Sequence, residues 1–191
     1  MSSGILVVVI VIVVVLVGAA LLVPPYLRRK RLRDRFGPEY DRTVEQTEDR
    51  RAAERELAQR ERRHNSLDLR ELTPERKEEF TKDWARVQER FVDEPADAVG
   101  EADRLVTTVM AERGYPTEGF DQQVADLSVE HASTLGHYRD AHGIAVEHAN
   151  GQASTEDLRT ALVHYRALFV DLTNGHTTHK KDTTHKKDTV S

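Results

Sequence analysis

An uninterrupted apolar run near the N-terminus constrains this chain more than any other feature of its sequence. The run covers Ile5 to Val23, which are 19 residues without a charged or strongly polar side chain. As a helix it would be ~28 Å long, close to the ~30 Å hydrocarbon thickness of a bilayer. A single span in lipid must pair all of its own backbone N–H and C=O groups, which only a helix can do. The run therefore predicts one transmembrane helix, ended by Pro24-Pro25.

A cleaved signal peptide is the competing interpretation of this run. A signal peptide needs a positive N-terminal region, an apolar stretch of ~7–15 residues and a small-residue cleavage site. Residues 1–4 contain no Lys or Arg, and the apolar run continues through Leu21-Leu22-Val23, beyond the small residues Gly18 to Ala20. These features favour an anchor that is retained over residues 1–27. The alternative is an exported or outward-facing helical binding module, with the run acting as its signal sequence.

A cluster of cations directly follows the run, whereas none precedes it. The positive-inside rule then places the N-terminus outside and the C-terminal domain in the cytoplasm, as a single-pass protein of the plasma membrane. The same cations are the candidate membrane-surface contacts, each contributing about 1 kcal/mol on anionic lipid. The sequence does not separate lipid binding from a role in setting topology. The residues are Arg28, Arg29, Lys30, Arg31, Arg33 and Arg35.

The segment over residues 28–71 is predicted to be a basic collar followed by a charged helical stalk. Residues 39–64 are rich in Glu, Arg, Gln and Ala and contain no Gly or Pro, which favours a helix. Tyr40, Val44 and Leu57 are its large apolar residues, too few for a continuous stripe. A helix that is polar all round is usually solvated. A coiled coil stays open, although sustained apolar heptads are missing.

Residues 72–172 are predicted to form a small, acidic bundle of about four helices, and the fold class is all-α. Apolar residues recur at helical spacing, and no window alternates as a strand would. Thr73-Pro74 and Glu94-Pro95 are expected helix starts, and Ser154 with Asp157 forms an acidic variant of the capping box. Trp84 is in helical register with neighbouring apolar residues, so we expect it in the core. Residues 133–148 are expected to be helical, and residues 120–127 form a short helical piece.

The C-terminal tail, residues 173–191, differs from the rest of the chain. TTHKKD occurs twice in succession, at residues 177–182 and 183–188, and Val190 is the first apolar residue after the repeats begin. Such a composition buries too little apolar surface to offset the entropy of ordering the chain. The tail is therefore predicted to be disordered.

The sequence contains no signature of catalysis or of a cofactor. The absence of cysteine excludes disulfides, thiolate metal sites and a cysteine nucleophile. Four histidines, His131, His137, His142 and His148, are spaced by six, five and six residues rather than by the four that a helical two-histidine metal site needs. We therefore predict no enzyme, no catalytic or metal-binding residue and no cofactor. The bundle segment carries a net charge of −10, which argues against nucleic acid as a partner.

Several long phrases of the sequence resemble a family of actinobacterial membrane-anchored proteins, sometimes labelled secreted. The phrases are RFGPEYDRTVEQTEDRRAAERELAQRERRH, VQERFVDEPADAVGEADRLVTTVMAERGYP, FDQQVADLSVEH and STEDLRTALVHYRALFVDL, and the resemblance covers roughly residues 28–172. The resemblance implies one N-terminal span, a charged segment and a helical domain. It implies no catalytic or binding residues, because the family has no established activity.

Together these features predict a non-enzymatic protein that presents a helical domain at a membrane for interaction or scaffolding. The expected partners are the lipid bilayer and a protein whose identity the sequence does not give. Self-association into a homo-oligomer is left open.

Overall fold

The computed structural model describes residues 4, 11–13, 26–47 and 49–175. Most of the predicted transmembrane segment and the TTHKKD repeats therefore lie outside the described residues. Among the residues that the structure does describe, no helix is long and apolar enough to cross a membrane. Every regular element within these ranges is a helix, which confirms the predicted all-α class.

Eight helices in the described part of the chain from residue 26 onward are numbered here in chain order, with α1 given as far as the structure describes it. Three of them precede the bundle segment, and five lie within it. Their bounds are α1 over residues 26–36, α2 Pro38–Thr47, α3 Arg50–His64, α4 Pro74–Arg90, α5 Pro95–Glu112, α6 Phe120–Leu127, α7 Ala132–Ala149 and α8 Thr155–Asn174.

The predicted helix starts of the bundle are confirmed, two of them by side-chain caps and the third by Pro95 as the first residue of α5. Thr73 is the N-cap of α4, and its side chain accepts a hydrogen bond from the backbone N–H of Arg76 at 3.3 Å. Ser154 and Asp157 form the capping box of α8, each side chain accepting from the other's backbone N–H. Such caps satisfy N–H groups that have no partner within the helix, so they fix where each helix begins.

The main hydrophobic core lies between α4, α5, α7 and α8, with the short α6 against it. Trp84 of α4 is 4% exposed and stacks on Phe169 of α8, with 4.8 Å between the ring centroids. The predicted core position of Trp84 is therefore confirmed. Since α8 also contains Tyr165 and Leu168, both fully buried, and packs against both α5 and α7, it lies at the centre of the main core.

The predicted solvated stalk is wrong in the described structure. The segment forms two helices, α2 and α3, which pack against each other as a hairpin, and Asp49 caps the second by accepting from the Arg51 N–H at 2.9 Å. The few apolar residues of this segment are collected into a second core together with two residues of α1. That core consists of Leu32, Phe36, Tyr40, Leu57 and Val129, with Val44 packed against it.

The turn after α5 depends on a glycine. Gly114 has a φ of 91°, a conformation that residues with a side chain rarely adopt. The loop before α4 lies directly against this turn, because the Arg70 N–H donates to the Arg113 carbonyl at 3.0 Å. A Cβ on Gly114 would overlap the carbonyl oxygen of Asp68. The turn therefore requires glycine for both its conformation and its close contact.

We predict that Gly114→Ala lowers the free energy of unfolding by about 2 kcal/mol or more, because the positive φ and the overlap both oppose a side chain. Gly100→Ala is the matched control, since Gly100 lies within α5 and nothing would contact its Cβ within 4 Å. It should gain up to about 1 kcal/mol from helix propensity. Chemical unfolding of the full chain in mild detergent, followed by circular dichroism, measures both. Equal effects of the two substitutions would contradict the conclusion that the turn requires glycine at position 114.

Candidate functional site

The most unusual chemistry in the described part of the chain is a layer of buried charge where α1–α3 meet the bundle. We call this layer the polar junction. It is built from residues of α2, α3, α6, α7 and α8 and from the loops that flank α6. Its members are Glu39, Arg60, Arg63, His64, Arg113, Asp126, Glu130, His131, Arg139 and Asp171.

Glu39 of α2 is the centre of the first part of the polar junction. Its side chain is 4% exposed, and both carboxylate oxygens accept from Arg139 of α7, at 2.8 and 2.5 Å. Arg60 of α3 also donates to Glu39, at 3.1 Å. A two-pronged guanidinium–carboxylate contact is among the stronger hydrogen-bonded pairs. One carboxylate thus holds three helices together and joins the hairpin to the bundle.

His131 is the centre of the second part. It is fully buried, with Nδ1 lying 2.8 Å from an Asp171 carboxylate oxygen and Nε2 lying 3.4 Å from an Arg113 guanidinium nitrogen. Because arginine can only donate, Nε2 must accept, so Nδ1 carries the proton and donates to Asp171. Thr134 donates to the same Asp171 oxygen at 2.6 Å, and Arg113 donates to the Leu172 carbonyl at 3.2 Å. These bonds tie the last turn of α8 to the end of α5 and the start of α7.

His64 ends α3 and joins the two parts of the junction. It is 5% exposed, its ring lies 6.2 Å from that of Tyr115, and its Nε2 is 3.7 Å from a Glu130 carboxylate oxygen. Burial lowers the pKa of His64, Glu130 opposes the shift, and the positive charge of Arg35 lowers the pKa further. Burial, together with the charge on Glu130, raises the pKa of the Tyr115 hydroxyl.

The four histidines of the sequence pattern do not converge. His131 belongs to the polar junction, whereas His142 stacks on Phe120 at the rim, with ring centroids 3.8 Å apart. His137 is exposed and lies against His164 of α8, at 4.8 Å between centroids. Within the described ranges no group of three or more His, Asp or Glu side chains could hold a metal ion.

The six cations after the apolar run have different environments. Arg31 pairs with Glu61 at 2.7 Å and Arg33 with Asp41 at 2.6 Å, so both are engaged by acids of the hairpin. Arg35 is half-buried, and its charge contributes to the lowered pKa of His64. Arg29 is also half-buried and lies near the Tyr40 hydroxyl, while Arg28 and Lys30 are exposed. Only part of the cluster is thus presented freely on the described surface.

In the sequence, most residues of the polar junction are typical of surface charge. One local signal existed, because Arg139 follows Leu135 by four residues and therefore shares the buried face of α7. Its partner Glu39 is 100 residues away, and nothing in the local pattern connects the two. Arg113 and Asp126 gave no sequence signal that we can identify.

We predict that Glu39→Gln destabilises the fold by about 3 kcal/mol, because two largely buried guanidiniums lose their carboxylate. Asp41→Asn is the matched control, since Asp41 lies on the same helix as Glu39. Its ion pair with Arg33 of α1 is more than half exposed at both side chains. It should cost less than about 1 kcal/mol. Chemical unfolding compares the two variants. Losses of equal size would show that the Glu39 contact does not hold the hairpin.

The lowered pKa of His64 predicts a specific pH dependence. The unfolded chain binds a proton at His64 near its ordinary pKa of ~6.5, while the folded chain binds it at lower pH. Stability contributed by neutral His64 is therefore present above about pH 6.5 and is lost as the pH falls from there towards the folded pKa. His64→Gln should reduce the slope of the unfolding free energy against pH between about pH 7.5 and 5.5. His142→Gln, at the partly exposed rim, should leave the slope as it is, and an unchanged slope in His64→Gln would contradict the prediction.

The chain matches no family model, no curated protein and no solved structure. Its resemblance to actinobacterial membrane-anchored proteins therefore stays a prediction. The geometry of the polar junction and of the surfaces beside it is what bears on function.

Proposed function

We propose that this chain is a single-pass membrane protein whose helical domain lies against the cytoplasmic face of the plasma membrane and has a non-enzymatic interaction or scaffold role. The apolar run from Ile5 to Val23 supports the anchor by its length and composition. The cations that follow it support the orientation. The same layout is what the resemblance to the actinobacterial family implies.

The single observation that carries the proposal is the packing of α1. The structure describes this helix from residue 26 onward, and in the sequence only Pro24 and Pro25 separate residue 26 from Val23. Two residues bridge at most ~11 Å between their neighbours, so α1 must start close to wherever the run ends. Leu32 and Phe36 of α1 are buried against the hairpin and Val129. With the run in a bilayer, the part of the domain that packs on α1 would lie within about one short helix, ~16 Å, of the lipid.

This arrangement differs from a bundle held away from the membrane on a stalk. The hairpin is fixed to α7 by the Glu39 contacts and to α6 by Arg63, which donates to Asp126 at 3.0 Å. The domain would therefore be presented in a defined orientation. Exposed Arg28 and Lys30 would contact anionic lipid, while Arg31 and Arg33 would be held in ion pairs.

The way in which the buried polar groups are used supports a non-enzymatic role. His131 and Asp171 resemble the pair that orients a catalytic base, but a guanidinium occupies the position of a nucleophile, at Nε2. The histidine is fully buried, so the arrangement serves to hold helices rather than to meet a substrate. A protein partner would therefore bind to the outer surface of the domain.

The orientation is tested with reporters fused after Ser191. A fluorescent protein that folds only in the cytoplasm should be active, and a phosphatase that needs export should be inactive, because the cations retain the C-terminal side. Replacing exposed Arg28 and Lys30 by Gln, with three lysines inserted after Ser3, should shift the signal towards the phosphatase. An active phosphatase on the unaltered chain would contradict the proposed orientation, and a mature N-terminus near Ala20 would establish the exported alternative.

The interaction role is tested separately in native membranes. A photo-crosslinker at exposed Val92 or Val163 should capture a defined protein, whereas the same group at buried Val106 should not. Capture of the same proteins from all three positions would contradict a specific docking surface.

A further inference from the structure

An open cavity of about 470 Å³ lies between α1 and α3. A volume of this size is within the range of small-ligand sites, ~300–1,000 Å³. Glu61 is the contribution of α3, and the rest of the lining comes from residues of α1 that are spaced by three and four and therefore share one face of that helix. The cavity is thus a groove along α1. The α1 residues are Leu27, Lys30, Arg31, Asp34 and Arg35.

Two cations of this groove have no acid paired with them. Arg31 donates to Glu61 at 2.7 Å, so the charges of these two side chains offset each other. Lys30 and Arg35 form no hydrogen bond or ion pair with any residue that the structure describes. The exposed carboxylate of Asp34 is likewise unpaired within the described ranges. Two cations against one carboxylate leave the groove with a net charge of +1.

The charged ends of both cations are accessible to a ligand in the groove. Lys30 is exposed. In the Arg35 guanidinium only Nε is buried without a partner, and the two terminal nitrogens, which also have no described partner, are therefore open to solvent. Side chains on a helix lean towards its N-terminus, which for α1 is the end that follows the apolar run. Both sets of donors are thus available on the side of the groove nearest the run.

The order of chemical groups along the groove matches that of a phospholipid. Leu27, which is 56% exposed, lies in the first described turn of α1. At the rise of a helix, Lys30 follows about 5 Å further along the axis and Arg35 about 12 Å further. A phospholipid likewise has apolar tails at one end and its phosphate beyond them. With the run in a bilayer, an adjacent lipid would place a tail against Leu27 and its phosphate near the two cations.

The lining disfavours the other classes of ligand. A metal ion needs several carboxylate or imidazole ligands at one point, and the described residues contain no such group of three. An organic cation would meet a net positive lining, and a nucleic acid would also meet the bundle segment with its net charge of −10. A phosphate accepts hydrogen bonds from an ammonium and from the fork of a guanidinium. Asp34 opposes an anion in this groove, so the sign of its effect on binding is a test.

We propose that the groove between α1 and α3 binds the phosphate of an anionic membrane lipid, held by Lys30 and Arg35. The site rests on the proposed function, because a bilayer lipid reaches the groove only where the apolar run is inserted beside it. It deepens that function, since one bound lipid takes the place of a diffuse attraction to surface charge. A free phosphate compound has the same headgroup chemistry, but it lacks the tail that would contact Leu27.

The test is native mass spectrometry of the purified full chain released from a non-ionic detergent, which counts the lipids bound to each chain and gives a Kd. The probe is short-chain phosphatidylglycerol. Phosphatidylcholine with the same tails is the control that has the phosphate but no net charge, and glycerol 3-phosphate is the control without tails. We expect one phosphatidylglycerol per chain, and binding of both controls that is weaker by roughly tenfold or more.

Four substitutions locate the lipid and check the sign of the charge. Lys30→Gln and Arg35→Gln should each weaken phosphatidylglycerol by roughly tenfold, since a charged hydrogen bond is lost. Asp34→Asn should lower the Kd, because it removes a charge of the same sign as the phosphate. Arg42→Gln is the matched control and should leave the Kd unchanged. Arg42 is exposed on α2 outside the groove and forms no ion pair within the described ranges.

The proposal is overturned if either control compound binds as tightly as phosphatidylglycerol, if Lys30→Gln behaves like Arg42→Gln, or if Asp34→Asn weakens binding. Equal binding of glycerol 3-phosphate would identify a free phosphate compound as the occupant instead of a lipid. Because Lys30 and Asp34 are both exposed, these comparisons do not depend on whether Arg35→Gln folds.

A micelle has no inside or outside, so the lipid measurement is separate from the reporter fusions that test the orientation. Binding of phosphatidylglycerol together with an active phosphatase would reject the proposed orientation alone. A cytoplasmic reporter signal with no bound lipid would reject the lipid site alone.

Discussion

The carboxylate of Glu39 is the contact on which the arrangement of the whole domain depends. Transferring one carboxylate and two guanidiniums out of water costs several kcal/mol per ion, and only close, complete pairing offsets that cost. Arg139 donates to both oxygens of Glu39 and Arg60 donates a further hydrogen bond, so the carboxylate is closely and completely paired. The orientation of α2 and α3 on α7 is therefore specified by charge, whereas their apolar contacts alone form a small core.

This dependence explains why the sequence predicted the bundle and not the position of the hairpin. Helices α4, α5, α7 and α8 each have an apolar face whose period is visible within one window of residues, and their caps follow local rules. The hairpin has only Tyr40, Val44 and Leu57, so the local pattern indicates a solvated helix. What places it is a contact between residues 100 positions apart, together with Phe36 from a segment interpreted as a collar. Helix propensity and apolar periodicity depend on residues that are near in sequence, so they do not predict such a long-range pair.

Long-range pairing also decides which of the six predicted membrane contacts remain unpaired in the folded domain. All six cations look equivalent in the sequence, because position along the chain is the only criterion available there. In the folded domain Arg31 and Arg33 are matched by Glu61 and Asp41, and an arginine in an ion pair attracts lipid phosphate less than a free one. A collar of formal charge +5 would therefore act on a membrane with a smaller effective charge. Topology in the cell is set before the domain folds, so it would still respond to all six.

The contrast between His131 and Asp126 shows how burial and pairing together distinguish satisfied from half-satisfied polar groups. His131 is fully buried, and both ring nitrogens have partners, so nothing in its surroundings calls for a ligand. Asp126 is equally buried, yet one oxygen is paired and the other is not. A polar group that the fold leaves half satisfied has a stability cost that selection must offset elsewhere. In the sequence the histidine is considered as a metal ligand and the aspartate gives no signal, so only the pairing of individual atoms shows which of the two the fold leaves half satisfied.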